Sequence, residues 1–219
     1  MRLYDLSLSP YAARCRLAIF KKGLDIEIVA PPEGGPRSEA YRAINPLRKV
    51  PALVLDDGTV IPESAVIVEY LEDRFPEPSL RPASPEALAR ARLLVRVAEL
   101  HLIPPFGRLI GQRDPAGRDP VVVEGAKAEI AGALAHLEHF LAAGDGFAAG
   151  PGFSIADCGL MPLLFGHTRI MPMFGDAEPL GGDRYPKLRA YWRRLQADPV
   201  VARVGGEMGE GLKRMFGGN

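Results

Sequence analysis

A proline-rich segment at residues 76–85 divides the chain into two parts with different sequence patterns. The segment, PEPSLRPASP, contains four prolines in ten positions, which is typical of a linker. Before it, short apolar runs alternate with helical patterns; after it, no strong strand pattern occurs. We therefore expect an α/β domain over residues 1–78 and an all-helical domain over residues 84–219.

The pattern of the first part predicts a mixed sheet. An apolar run at Arg2–Leu6, a helix from Ser9 to about Lys22 and an alternating run at Asp25–Val29 predict a parallel strand pair with a right-handed crossover. Two further runs, Pro51–Leu55 and Thr59–Ile61, predict an antiparallel hairpin. Shorter helical patterns cover Ser38–Ile44 and Glu63–Phe75.

Charge and hydropathy exclude several classes of protein. The chain has 27 basic and 27 acidic residues, and neither half is strongly basic. This balance argues against nucleic-acid binding through phosphates and against a polybasic membrane anchor. No apolar run approaches the roughly 20 residues of a membrane span, and the N-terminus lacks the apolar region of a secretory signal. We expect a cytoplasmic protein with no nucleic-acid or membrane partner.

Ser9 is the first candidate for chemistry because it precedes Pro10 at the predicted start of a helix. A helix N-terminus carries unpaired N–H groups and a positive partial charge, which favour a bound anion. The Ser9 hydroxyl could donate a hydrogen bond to a thiolate there. The alternative is that Ser9 only caps the helix. Ser7, two residues upstream, is a weaker candidate.

The Val50-Pro51 pair is the second candidate, because a proline at the start of a buried strand cannot donate to the ladder. A cis bond would turn the backbone so that Val50 presents its own N–H and C=O to a ligand. The alternative is a trans proline that begins an edge strand.

The third candidate is Glu63-Ser64, which precedes a helical pattern. Ser64 and the first N–H groups of the helix can bind a carboxylate, and Glu63 can bind an ammonium group. Together they suit the α-amino acid end of a ligand. The alternative is simple helix capping.

Four segments follow one another along the chain: SPYAARCRLAI, NPLRKVPALVLDDG, PESAVIVEYLEDRFP and, in the second part, GPGFSIADCGLMPLLF. In order and spacing, these segments resemble those of cytosolic glutathione transferases. The resemblance covers nearly the whole chain. It implies a thioredoxin-like α/β N-terminal domain, an all-α C-terminal domain, glutathione as cosubstrate or coenzyme, and a homodimer.

The resemblance also implies roles for individual residues. Ser9 matches the serine that activates the glutathione sulfur in serine-type members. Val50 matches the residue whose backbone pairs with the cysteinyl part of glutathione, beside a cis-proline at Pro51. Glu63 and Ser64 match the pair that holds the γ-glutamyl end.

The residue that meets the glycyl carboxylate of glutathione is left open. Lys49 lies where family members often have a polar or basic residue. The position before it is usually small or polar in the family, whereas this chain has Arg48. Either cation could approach the carboxylate.

The helical domain is expected to supply the pocket for a second, electrophilic substrate opposite Ser9. Each candidate residue could equally be part of the core or the surface. The segment HLIPPFGRLI and the later arginine resemble zeta-class members, which isomerise maleyl-type diacids, but the SPY start departs from the Ser-Ser-Cys run of that class. The candidates are Tyr11, His101, Pro105, Arg108 and Arg169.

Other reactive residue types have structural interpretations. Cys15 lies six residues into the first helix and Cys158 in a later apolar helix, so both are expected to be packed. Ser154 and Asp157 have the spacing of a capping box. His136 and His139 lack a third ligand in the sequence, so no metal site is expected.

Three functions compete on this basis. The leading one is a transferase that adds the glutathione thiolate to a small electrophile, a reaction typical of detoxification. The second is a glutathione-dependent isomerase, dehalogenase or thioether lyase, in which glutathione adds and then leaves. The third is a non-catalytic binding or regulatory protein, although such a protein has no need to retain a thiol site.

Overall fold

The computed structural model describes residues 1–144, 146–180 and 182–216. Its contacts separate two compact units: Met1–Leu80 with the described residues of Asp198–Asn219, and Arg81–Ala197. The last helix therefore belongs to the first unit, whereas the sequence pattern grouped it with the helices of the second. An amphipathic pattern shows that one helix face is buried but does not show which partner buries it.

The first unit contains a four-stranded mixed sheet in the order β2-β1-β3-β4. The strand β1 pairs with β2 in parallel and with β3 antiparallel, and β3 pairs antiparallel with β4. This topology confirms the predicted parallel pair and hairpin, with shorter strands than the apolar runs suggested. The strands are β1 (Arg2–Tyr4), β2 (Glu27–Val29), β3 (Ala52–Val54) and β4 (Val60–Pro62).

The first three helices of the chain begin and end close to the predicted positions. The helices of both units are α1 (Pro10–Lys22), α2 (Glu39–Ile44), α3 (Ser64–Arg74), α4 (Pro85–Val97), α5 (Ile103–Gly111), α6 (Pro120–Phe140), α7 (Ile155–Ile170), α8 (Pro186–Gln196) and α9 (Pro199–Phe216). Short 3₁₀ turns occur at Gly35–Arg37, Pro115–Gly117, Met171–Phe174 and Gly182–Arg184. Within the described ranges, no helix combines the length and apolarity of a membrane span.

Helix α1 is the central element of the first unit. Ser9 caps its N-terminus, Pro10 occupies its first turn, and Gly23, with a φ of 63°, ends it in the left-handed conformation that glycine adopts without steric penalty. Every residue from Ala12 to Ile19 is buried, because α1 packs against α3 on one side and α9 on another.

The second unit differs from its sequence pattern at Pro104 and Pro105. The pattern predicts a helix that ends at these prolines, but α4 ends at Val97 and a π-helical segment, Ala98–Leu102, connects it to α5. Both prolines lie in the first turn of α5. A proline lacks an N–H and is tolerated there, so the chain continues as a new helix after the wider turn.

Candidate functional site

The sheet register brings the three predicted binding segments to one end of the sheet. Tyr4 at the end of β1 pairs with Ala52 at the start of β3, which pairs with Pro62 at the end of β4. The loop that leaves β1, the residues that enter β3 and the residues that leave β4 therefore emerge side by side. These segments carry Ser9, Val50-Pro51 and Glu63-Ser64.

Ser9 caps α1 by accepting a hydrogen bond, and this leaves its own hydroxyl proton available for donation. Its Oγ accepts a hydrogen bond from the Ala12 N–H at 3.3 Å. The Ser9 N–H donates to the Leu6 carbonyl at 2.8 Å, which closes the turn before the helix. A serine hydroxyl can accept and donate at the same time. Capping and donation to an anion at the helix N-terminus are therefore compatible.

The peptide bond between Val50 and Pro51 is cis, as predicted. Lys49, which precedes this pair, is held in place because its carbonyl accepts hydrogen bonds from the Tyr41 hydroxyl at 2.9 Å and the Asn45 amide at 2.8 Å. Across the part of the chain that the structure describes, the backbone N–H and C=O of Val50 have no hydrogen-bond partner. They can therefore pair with a peptide-like ligand.

Arg48 and Lys49 have different surroundings. Arg48 has a positive φ of 53°, and its guanidinium forms an ion pair with Glu39 at 2.8 Å. The Lys49 side chain is exposed. A ligand carboxylate that bound the Arg48 guanidinium would compete with the Glu39 carboxylate for it.

Glu63 and Ser64 form the start of α3. Glu63 is exposed and has a φ of 68°; with Arg48 it is one of two non-glycine residues with positive φ in the described ranges. Such backbone conformations are uncommon outside glycine and concentrate at functional sites. Ser64 is 4% exposed and lies in the first turn of the helix, where N–H groups are unpaired.

Arg14 lies beside the candidate site residue Ser64 and is not among the residues predicted from the sequence. Its Nη1 donates to the Ser64 Oγ at 3.3 Å, and its side chain is buried. A buried cation beside Ser64 adds positive potential at the N-terminus of α3. The feature of the sequence that could have identified Arg14 is its charge within SPYAARCRLAI, where helical periodicity places its neighbours in the core.

Cys15 is packed, as predicted, and lies beside the same serine. Its Sγ donates to the Ser64 carbonyl at 3.7 Å. Burial raises the pKa of the Cys15 thiol to about 12. Cys15 is therefore a protonated thiol that connects α1 to α3, and Cys158 is also buried. The predicted capping box between Ser154 and Asp157 is present.

The structure places the predicted second-substrate residues in separate local contacts. Tyr11 is exposed in the first turn of α1, and Pro105 is buried in α5. Arg108 is paired with Glu129 at 2.5 Å. The other two also have local partners: the ring of His101 lies 5.5 Å from that of His136, and the guanidinium of Arg169 lies 5.4 Å from the centroid of the Phe165 ring.

Two family models match the chain. The glutathione S-transferase N-terminal domain matches residues 3–79, and the glutathione S-transferase C-terminal domain matches residues 120–194. A probable glutathione transferase omega-2 from Caenorhabditis briggsae is 30% identical over 222 residues, covering 96% of this chain and 83% of that protein. Maleylacetoacetate isomerase from Pseudomonas aeruginosa is 41% identical over 96 residues, which are 42% of this chain and 45% of the isomerase. The match therefore spans less than half of that enzyme.

Solved structures with the same architecture include a maleyl pyruvate isomerase described as a bacterial zeta-class glutathione S-transferase. It is 27% identical with a TM-score of 0.74, covering 93% of this chain and 96% of that one. A glutathione S-transferase from Methylobacterium radiotolerans, in complex with glutathione sulfonate, is 29% identical with a TM-score of 0.72 and covers 93% of both chains. These matches confirm the predicted fold class, a thioredoxin-like domain followed by a helical one. The chain belongs to the glutathione transferase family.

Proposed function

We propose that the protein binds glutathione at the end of its sheet and uses Ser9 to stabilise the glutathione thiolate for attack on a small electrophile. The observation that carries this proposal is the sheet register, which brings the start of α1, the Val50 backbone and the start of α3 side by side. Glutathione combines a thiol, a peptide backbone and an α-amino acid end, and each of the three segments suits one of these.

The energetics of thiol activation agree with this arrangement. An unperturbed thiol has a pKa of about 8.5, so only a few per cent is ionised at pH 7. A decrease of about 2 units needs about 2.7 kcal/mol of selective thiolate stabilisation. A hydrogen bond to a charged group contributes about 1.5–3 kcal/mol, and a helix N-terminus about 0.3–1 kcal/mol. Ser9 therefore acts as a donor and need not ionise.

The two carboxylates of glutathione have separate partners in this proposal. The γ-glutamyl carboxylate binds the N-terminus of α3 and the Ser64 hydroxyl, with Arg14 behind it, while its ammonium group binds Glu63. The glycyl carboxylate binds Lys49 rather than Arg48, because Arg48 already pairs with Glu39.

The test compares Ser9→Ala with Ser84→Ala. Both serines are N-caps, since the Ser84 Oγ accepts from the Ala87 N–H at 3.1 Å, but Ser84 caps α4 in the other unit. Both variants should lose the stability of a cap, about 1 kcal/mol. Only Ser9→Ala should raise the pKa of bound glutathione, measured by thiolate absorbance, and lower turnover of an aryl halide about 10- to 100-fold at pH 7. Full activity of Ser9→Ala would overturn the proposal.

A second candidate reaction is cis–trans isomerisation of a maleyl-type diacid, with glutathione regenerated. The similarity to an enzyme named maleylacetoacetate isomerase favours it. Arg169 would then bind a carboxylate of the diacid through two parallel hydrogen bonds. The assay supplies a cis-enedioic acid with catalytic glutathione and follows the trans product. Stoichiometric consumption of glutathione would contradict this candidate and leave the transferase, whereas unchanged isomerisation by Arg169→Ala would contradict only the role of Arg169.

Two further expectations, a homodimer and a cytoplasmic location, belong to this proposal, and a non-catalytic role competes with it. A homodimer is tested by an equilibrium mass measurement, and a cytoplasmic location by fractionation of cells that express the untagged chain. A non-catalytic role is tested on immobilised glutathione and with the same aryl halide: retention with turnover contradicts it, and failure to bind supports it.

A further inference from the structure

We propose that helix α9 holds Ser9 in position by bracing the serine loop, residues Leu6–Ser9, through Gly211 and Arg214. The inference rests on the proposed role of Ser9 and adds positioning residues to it. Neither residue reaches the ligand in this proposal, because both act through the backbone that precedes Ser9.

Gly211 lies where α9 passes directly over the serine loop. A Cβ atom at this position would lie 2.9 Å from the Ser7 Oγ, 3.1 Å from the Leu8 Cβ and 3.1 Å from the Leu8 backbone nitrogen. Gly211 is buried. The helix backbone therefore approaches the loop more closely than any residue with a side chain would permit.

Two arginines bind the same loop from different helices. The Arg214 Nη2 donates to the Ser7 Oγ at 3.1 Å, and the Arg16 Nη2 donates to the Ser7 carbonyl at 2.6 Å. The Arg16 Nη1 also donates to the Glu207 Oε2 at 2.5 Å. Arg16 therefore joins α1, the loop and α9 in one hydrogen-bonded network.

The start of α9 is fixed to α1 as well. Lys21 near the end of α1 pairs with Asp198, whose carboxylate accepts hydrogen bonds from the Val200 and Val201 N–H groups. Near the middle of α9, Glu207 pairs with Arg16. Because α9 is bound to α1 at these points, its position is fixed. Gly211 and Arg214 therefore contact the loop from an anchored helix.

A small displacement of the loop would change the chemistry at Ser9. Leu8 directly precedes Ser9, and a donor must be held to within about 0.5 Å of its productive position. A cavity of about 420 Å³ lies beside these contacts, lined in part by Ser7, Arg16 and Arg214. A loop pushed by a new side chain therefore has space to move into, so a misplaced Ser9 is the expected result rather than an unfolded chain.

The test compares Gly211→Ala with Gly206→Ala in the same helix. A Cβ at Gly206 meets no atom within 4 Å. Both changes replace glycine by a residue of higher helix propensity, so this effect is the same for the two variants. Gly206→Ala should leave the pKa of bound glutathione and turnover unchanged. Gly211→Ala should raise that pKa by about one unit and lower kcat at pH 7 about tenfold, with little change in KM for glutathione.

Arg214 provides an independent variant at an exposed position. Arg214→Met should raise the pKa of bound glutathione, and Arg214→Lys should restore it, because lysine can still donate to Ser7. If Gly211→Ala does not fold, the comparison of Arg214→Met with Arg214→Lys tests the proposal by the same thiolate absorbance measurement.

The outcomes separate this inference from the proposed function. If Ser9→Ala raises the pKa of bound glutathione while Gly211→Ala and Arg214→Met leave it unchanged, α9 does not position Ser9 but the serine mechanism stands. If Ser9→Ala itself leaves that pKa unchanged, the proposed function fails and this inference fails with it.

Discussion

The Arg14 guanidinium donates a hydrogen bond to the Ser64 hydroxyl oxygen at 3.3 Å, across 50 residues of sequence. The bond uses a lone pair of Ser64, so the hydroxyl proton can be donated to a ligand carboxylate. The neighbouring Cys15 Sγ donates to the carbonyl of the same serine. Helix α1, which Ser9 caps, therefore also fixes the start of α3.

Ser64 and Glu63 should recognise different groups of the γ-glutamyl end. Ser64→Ala should weaken glutathione binding by about 1.5–3 kcal/mol, because a hydrogen bond to a charged carboxylate is lost. Glu63→Gln should also weaken glutathione binding, because the carboxylate that pairs with the ammonium group is lost. Calorimetric titration with glutathione measures both effects.

Glutathione analogues provide the control for this pair. Ser64→Ala should bind γ-aminobutyryl-cysteinyl-glycine, which lacks the α-carboxylate, as well as the parent protein does. Glu63→Gln should behave likewise toward glutaryl-cysteinyl-glycine, which lacks the amine. If each variant loses affinity equally for glutathione and for its matched analogue, the assignment of the two groups is wrong.

Cys15 should be inert in the native protein. Because burial raises the pKa of its thiol to about 12, almost no thiolate is present at pH 8. Alkylation followed by mass spectrometry should show no labelling of Cys15 in native protein and full labelling in denaturant. Cys15→Ala should keep the pKa of bound glutathione and lose only stability. Rapid native labelling, or loss of thiol activation in Cys15→Ala, would indicate a cysteine-type mechanism.

The buried ion pair between Lys22 and Glu72 should stabilise the first unit. The Lys22 Nζ lies 2.7 Å from the Glu72 Oε1 and from the Pro78 carbonyl, and both side chains are almost fully buried. Lys22→Met leaves the Glu72 carboxylate buried without this partner and should lower the free energy of unfolding by about 3–5 kcal/mol. Urea denaturation measures the change.

An exposed ion pair is the matched control for Lys22. Arg2 and Glu27 lie 2.8 Å apart, but their side chains are 50% and 59% exposed. Arg2→Met should therefore change the free energy of unfolding far less than Lys22→Met does. Similar losses for Arg2→Met and Lys22→Met would show that burial does not distinguish the two pairs.

His167 should make the protein less stable in mild acid. Its Nε2 donates to the Pro179 carbonyl at 2.6 Å, and burial lowers its pKa. The unfolded chain binds a proton at this residue near pH 6.5, while the native protein stays neutral to lower pH. Stability is therefore lost as the pH falls from about 7 through the unfolded pKa, by at most about 1.4 kcal/mol per pH unit.

The difference in unfolding free energy between wild type and His167→Gln isolates this effect. As the pH falls from 7 to 5, His167→Gln should become more stable relative to wild type. Burial raises the pKa values of Asp5 and Asp157, so their own contributions favour the native state on acidification, but they cancel in the difference. A pH-independent difference for His167→Gln would contradict the prediction.

Features that depend on neighbouring residues could be predicted from the sequence. The cap at Ser9, the left-handed end of α1 at Gly23 and the capping box of Ser154 and Asp157 each involve residues within one helical turn. The parallel strand pair and the hairpin also follow from a few short apolar runs, whereas the pairing of β1 with β3, which joins them, was not predicted. Three of the site's segments could therefore be identified before the structure was known.

The two sequence patterns on either side of the proline-rich segment, the elements of the sheet domain and the polar residues at its helix starts are thus all features of short stretches of sequence. Which polar groups far apart in sequence meet depends instead on how the helices pack: Arg14 with Ser64, Lys22 with Glu72, and Arg214 with Ser7, 207 residues apart. Helical periodicity identifies a buried face but not the partner that covers it, and a lone arginine or lysine in an apolar stretch does not reveal its acceptor. The same reason explains why α9 could be predicted as a helix but not as a support for the loop that carries Ser9.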